Sequence, residues 1–187
     1  SEYRGNYGVS DDVLRDFHYR RAQILWKAGA DLLLFETMPS LNEVKICAEI
    51  AEELGADYWI SFSCKDSEHI NEGDSIEDCA RSLSSGYPHL RMIGVNCSKP
   101  EYIESLIQEL KKATDLPIGV YPNSGDEYDP KRKCWCKREG AVPFGDLASA
   151  YYEAGASAVG GCCTTVERHI REVTSARERF LQRIRVV

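Results

Sequence analysis

Three sulfur positions are the first residues of this sequence that could do chemistry. They are Cys97, in Val95-Asn96-Cys97, and the adjacent pair Cys162-Cys163 behind Gly160-Gly161. Neighbouring cysteines bond to each other only with unusual backbone strain, so such a pair points to thiolate chemistry or metal ligation. Three thiolates with one open position make the ligand set of a catalytic rather than a structural zinc, and soft sulfur favours zinc over magnesium or calcium. The same residues also read as a small buried hydrophobe and a tight strand end, and ligands so far apart in sequence carry no short-range signature that decides. A second pair, in Cys134-Trp135-Cys136, sits among Lys131, Arg132, Lys133, Lys137 and Arg138, whose charges lower thiol pKa values. With no matching second pair it reads as a basic lid segment. Cys47 and Cys79 fall on helix faces and read as packing residues.

The elements that must position these groups alternate along the chain. Ser10 to Gly29 predicts a helix, with Val13, Phe17, Ile24, Leu25 and Ala28 at roughly helical spacing, Ser10 as N-cap and Gly29 as C-cap. Asp31 to Thr37 is an apolar run that fits a strand buried on both faces. Helices follow at 40–55, 75–85, 100–114, 144–155 and 166–183, and strands at 58–64, 91–97, 116–123 and 158–163. Strands alternating with helices imply parallel pairing in an α/β architecture. Five strands fit either an open doubly wound sheet or a consecutive part of an eight-stranded barrel, for which about 250 residues are typical. In either layout the C-terminal strand ends share one rim. Glu36, Cys64, Asn96-Cys97, Tyr121-Pro122-Asn123 and Cys162-Cys163 all lie at such ends and could converge. His69 lies in the loop after the second strand, where it could contact a ligand, whereas His18, His89 and His169 carry no signal. Residues 124–142 are polar, long and without helical pattern, as functional loops after a strand often are.

Composition bounds the partners. The chain has 187 residues, 30 acidic against 23 basic side chains and a net charge of -7, so no basic field invites nucleic acid. No apolar run approaches the roughly 18–20 residues of a membrane helix, and the polar start is not a signal peptide, which together predict a cytoplasmic protein. A chain opening on Ser1 rather than methionine reads as a piece of a longer product.

Taken in order, Ser1-Glu2-Tyr3-Arg4-Gly5, Phe35-Glu36-Thr37, Asp66-Ser67-Glu68-His69, Gly94-Val95-Asn96-Cys97, Val120-Tyr121-Pro122-Asn123-Ser124-Gly125 and Gly160-Gly161-Cys162-Cys163 closely resemble the homocysteine S-methyltransferase family, in particular the branch that uses S-methylmethionine. The resemblance runs over nearly the whole chain, 1–187, as one domain. It implies a (β/α)8 TIM-barrel type, of which about five of the eight strand–helix units are present and the N-terminal strands are missing. It implies zinc held by Cys97, Cys162 and Cys163, and homocysteine contacts from Glu36, at its amino group, with Asn96, Tyr121 and Asn123 on the same rim. The implied reaction moves a methyl group from a sulfonium donor, S-methylmethionine or S-adenosylmethionine, to the homocysteine thiol and gives methionine. An acidic rim of Glu36, Asp126 and Glu127 would suit the cationic donor. The alternative is a truncated, non-catalytic zinc-binding remnant of that enzyme.

Overall fold

The computed structural model describes residues 3–129, 131–137, 140 and 142–185; Ser1, Glu2, Arg138 and the side chain of Glu127 lie outside the described residues. Helix α1 (Asp11–Lys27) leads into strand β1 (Leu33–Met38), followed by α2 (Leu41–Leu54), β2 (Tyr58–Phe62), α3 (Ile76–Leu83), β3 (Leu90–Asn96), α4 (Pro100–Ala113) and β4 (Ile118–Tyr121). A short hairpin, β5 (Glu127–Asp129) with β6 (Cys134–Cys136), precedes α5 (Phe144–Ala154), β7 (Ala158–Val159) and α6 (Glu167–Arg185).

Local chemistry explains the helix boundaries. The Ser40 side chain accepts from the Glu43 amide to open α2, and Gly55 closes it with φ 63°. Ser75 does the same for α3, accepting from the Asp78 amide at 3.0 Å and donating to its carboxylate at 2.7 Å. Helix α4 carries Pro100 in its first turn, and Ile103, Leu106, Ile107 and Leu110 recur at i, i+3, i+4 and i+7 as its buried stripe. Full burial of each such side chain contributes about 1.5–3 kcal/mol. Helix α1 departs from the sequence reading in two ways. Ser10 makes no side-chain cap, its backbone carbonyl taking the Val13 and Leu14 amides instead. Val13, Phe17, Ile24 and Leu25 are also exposed, while Ala22 is buried and Leu14, Tyr19 and Trp26 pack on the core. The apolar face at Val13 and Phe17 fronts an open cavity of about 440 Å³ beside Glu36, Thr37 and Met38 of β1.

The main sheet is parallel with strand order β1-β2-β3-β4-β7. An open doubly wound sheet reverses its order at a switch point. This one never reverses, so the units are laid down as in a (β/α)8 barrel. The register sorts the two faces. Leu33, Phe35, Tyr58, Ile60, Phe62, Ile93, Val95, Ile118 and Val120 join the core under the helices. The opposite face carries rows in register: Leu34, Trp59 and Met92, then Ser61, Gly94 and Gly119, then Asn96 and Tyr121. Both glycines are needed there. A Cβ on Gly94 would meet the Gly119 carbonyl at 1.7 Å, and one on Gly119 would strike the Trp59 ring at 2.4 Å. Phe144 and Ala148 of α5 form a smaller cluster with Val173 and Ala176 of α6.

Candidate functional site

The three sulfurs come together at the C-terminal rim. Cys97 follows β3, and Cys162-Cys163 follows β7, two strands away in the sheet. Their sulfur atoms all lie within 4.8 Å of one another, with Cys97 and Cys163 at 3.8 Å, and they form a group able to hold a metal ion. Cys97 and Cys162 are joined in a disulfide, with their Cα atoms 5.5 Å apart, so Cys163 is the free thiol of the three. Strand β7 is shorter than the sequence predicts, ending at Val159, although the Gly160 amide still donates to the Val120 carbonyl at 2.8 Å and the chain stays bonded to the end of β4.

The turn is held by its neighbours. The Cys162 amide donates to the Pro122 carbonyl at 2.7 Å, the Ser124 amide to the Cys163 carbonyl at 3.0 Å, and the Cys97 amide to the Tyr121 carbonyl at 3.3 Å. The Thr165 hydroxyl donates to the Cys162 carbonyl and that of Thr164 to the Cys163 carbonyl, each at 2.6 Å. Gly161 is required: a Cβ there would lie 2.6–2.8 Å from three atoms of the Thr165 side chain. Thr37, Cys97 and Thr164 all take left-handed φ, at 59°, 49° and 63°. Such strain persists only where surrounding structure enforces it, and it gathers at functional sites.

Asn96 provides that enforcement for Thr37. Its side chain is 0 % exposed; its Oδ1 accepts from the Thr37 amide at 3.0 Å and from the Ser61 hydroxyl at 2.7 Å, and its Nδ2 donates to the Thr37 hydroxyl at 2.7 Å. Asn96 therefore ties β1, β2 and β3 together directly after Glu36. All this work is internal to the protein, a positioning role that only long-range partners reveal. Glu36 itself is exposed and lines the cavity between α1 and β1. Among the described residues the Tyr121 hydroxyl is buried without a hydrogen bond of ordinary geometry, its ring packs edge-on to Trp59 with centroids 5.5 Å apart, and burial, reinforced by the Glu36 carboxylate, pushes the phenol up. Asn123 donates from Nδ2 to the Cys97 carbonyl at 3.2 Å, while its Oδ1 is buried without a partner.

Other strand-end residues stay apart. Cys64 is buried outside the sulfur cluster, its thiol pushed up by burial and its amide bonded to the Ser98 hydroxyl at 2.9 Å. His69 contacts Asp66 at 3.0 Å, and His18 contacts Glu43 at 2.8 Å. Cys47 and Cys79 are fully buried, as packing residues should be. The 124–142 segment carries the β5–β6 hairpin, in which Tyr128 pairs with Trp135. No helix among the described residues is long and apolar enough to cross a membrane.

Comparison with known proteins agrees with this geometry. The homocysteine S-methyltransferase family model matches residues 1–177. The chain is 45% identical over 176 residues to the homocysteine S-methyltransferase YbgG of Bacillus subtilis, covering 94% of this chain and 56% of that one. The metallated form of the homocysteine methyltransferase MmuM from Escherichia coli superimposes with a TM-score of 0.79 at 35% identity, covering 94% of this chain and 55% of that one. The oxidized form of the same protein gives 0.77 at 36% identity, over 95% and 56%. The chain thus spans about half the length of the relatives it matches. Its rim of Cys97, Cys162 and Cys163, carried on five consecutive barrel units and matched over nearly its whole length, places the chain in the homocysteine S-methyltransferase family.

Proposed function

We propose that this chain carries the zinc-binding and homocysteine-binding rim of a homocysteine S-methyltransferase, which moves a methyl group from a sulfonium donor such as S-methylmethionine or S-adenosylmethionine to homocysteine and yields methionine. The convergence of Cys97, Cys162 and Cys163 is the observation that carries this reading. Their chemistry fits zinc. Two sulfurs each roughly 2.3 Å from a tetrahedral zinc stand about 3.8 Å apart, and Cys97 and Cys163 are 3.8 Å apart. Three protein ligands leave a fourth position for the substrate sulfur, provided the Cys97–Cys162 disulfide is first reduced. Bound there, zinc would supply the positive charge that keeps a thiol ionised near pH 7, where a free thiol of pKa about 8.5 is only a few per cent thiolate.

The remaining work falls to the chain's own residues. Glu36, held in place by the Asn96–Thr37 clamp, presents a carboxylate for the ammonium of homocysteine. Tyr121 keeps its proton because its phenol is pushed up, so it can donate a hydrogen bond but cannot act as a base. Asn123 fixes the Cys97 loop through the Cys97 carbonyl. No general base among these residues is needed for the transfer: the donor's carbon–sulfur bond breaks as the new one forms, and the donor leaves as a neutral thioether.

A second reading, a zinc-binding rim without turnover, is favoured by the exposed Val13–Phe17 face beside β1. One experiment tests both. The reduced, zinc-loaded protein is supplied with homocysteine and S-methylmethionine, and methionine is quantified. Methionine formation that stops in Cys163→Ala supports the transferase. Zinc at one per chain without methionine supports the second reading, and zinc binding to neither protein removes both.

A further inference from the structure

The Cys134-Trp135-Cys136 segment takes no part in the rim chemistry above, yet both of its cysteines are free and half-buried. They lie on β6, whose register pairs Trp135 with Tyr128 and Cys134 with Asp129. Side chains alternate across a strand, so Trp135 packs with Tyr128 on one face of the hairpin, ring centroids 5.3 Å apart, and the two thiols share the other face.

Strand spacing decides what two such thiols can do. Residues i and i+2 of a strand stand about 6.4–6.8 Å apart, with their Cβ atoms pointing the same way. A disulfide needs Cβ atoms about 3.5–4.5 Å apart, so this pair cannot close one while it stays in the ladder. An ion between the sulfurs asks less of the backbone. Two metal–sulfur bonds of roughly 2.3 Å laid end to end span about 4.6 Å, which each sulfur reaches by leaning about 1 Å toward the other. The two thiols already interact. Cys134 is held above the ordinary thiol value by partial desolvation first, then by its hydrogen bond and charge interaction with Cys136. Two adjoining thiols oppose each other's ionisation, and a cation between them removes the conflict.

Ligand number and local charge select the ion. Among the described residues the rim is the one group of three ligand atoms close enough to hold a metal, so the hairpin offers two sulfurs and no third protein ligand. The Asp129 carboxylate is already occupied, accepting from the Lys131 and Arg132 amides at 2.8 and 3.1 Å. Zinc takes four ligands, whereas copper(I), a soft ion that thiolates favour, is stable with two in line. Copper(I) between two thiolates leaves a single net negative charge, and Lys131, Arg132, Lys133 and Lys137 surround it with positive charge. Zinc at the same two sulfurs would be neutral and gain nothing from them.

We propose that Cys134 and Cys136 form a copper(I) site on the β5–β6 hairpin, separate from the rim of Cys97, Cys162 and Cys163. Binding exchanges two thiol protons, released to solvent, for one ion, and no atom changes oxidation state.

Anaerobic titration of the reduced, zinc-loaded protein with copper(I), in competition with a chromophoric copper(I) chelator, tests this while zinc release is followed in the same samples. The expected result is one copper(I) per chain with zinc retained, and two sulfur neighbours by X-ray absorption at the copper edge. Cys134→Ser and Cys136→Ser should each weaken copper(I) at least about a hundredfold, the upper end of what losing even a supporting residue costs a metal site, with zinc content unchanged. Lys133→Gln combined with Lys137→Gln should weaken it about fivefold, and more at low salt. Cys163→Ala should bind copper(I) as the parent does, which keeps the result independent of whether the rim holds zinc. No uptake of copper(I), affinity within threefold of the parent in both serine variants, or three sulfur neighbours would each overturn the proposal. Zinc displaced one for one, or copper(I) lost in Cys163→Ala, would overturn it as well, because either places the copper at the rim.

Discussion

Replacing Asn96 with alanine should destabilise this protein and loosen homocysteine together, because one side chain performs both tasks. Three hydrogen bonds disappear: Thr37 amide to Oδ1, Ser61 hydroxyl to Oδ1, and Nδ2 to the Thr37 hydroxyl. At about 1 kcal/mol each they contribute roughly 3 kcal/mol. The site is 0 % exposed, so water cannot replace them, and stranding the Thr37 amide adds about 1–3 kcal/mol. Thr37 also loses what holds it at φ 59°, a conformation that costs a non-glycine residue about 1 kcal/mol or more to keep. If it relaxes, part of the loss is recovered and Glu36 turns away from the rim. The net expectation is about 4 kcal/mol, which for a chain of this size lowers Tm by about 8–16 °C. Urea unfolding and calorimetric homocysteine titration read the two effects. Asn96→Asp keeps the acceptor but loses the donor and places a carboxylate at a fully buried site, so it should cost at least as much as the alanine change. A loss under 1 kcal/mol for Asn96→Ala, or homocysteine affinity within twofold of the parent, would refute the clamp.

Three further outcomes follow from the same geometry. Gly161→Ala should lower bound metal several-fold while the fold survives, since its Cβ must displace the Thr165 side chain that fixes the Cys162 carbonyl; elemental analysis and circular dichroism separate the effects. Protein isolated without reductant should take up no zinc until a thiol reductant opens Cys97–Cys162, and free-thiol titration should rise by two per chain on reduction. Asp57 lies below its ordinary value of 3.8, with the Arg91 guanidinium at 2.8 Å as the main cause and His89 beside it. A carboxylate lowered in the folded state contributes stability that is present above its unfolded pKa and lost as pH falls through the folded one. Asp57→Asn should therefore lower the urea midpoint slightly at pH 5–7, where the ion pair contributes, and flatten its decline below about pH 4, so that the two proteins converge in acid.

The order of elements was legible in the sequence because each strand is a short apolar run bounded by helical stripes. The rim was legible as well, since chemistry-bearing residues fell at the ends of successive strands. Other features were not. The exposure of Val13 and Phe17 on α1 was not legible, because periodicity marks only which residues share a face, not whether anything covers it. The β5–β6 hairpin escaped notice because its strands are only three residues long, too short for an alternating pattern to show, and they pair with each other across a polar turn. Strand β7 was drawn too long because its residue types run on without a break to Cys163, whereas the paired ladder stops at Val159. The Asn96 clamp was invisible because its partners, Thr37 and Ser61, lie 59 and 35 positions away.

X-ray absorption at the zinc edge, recorded on the reduced, zinc-loaded protein with and without homocysteine, tests the central claim most directly. The account predicts three sulfur neighbours at about 2.3 Å that become four when homocysteine is added, and two in Cys163→Ala before addition. A sulfur count that does not change with homocysteine, or that is the same in Cys163→Ala, would contradict it.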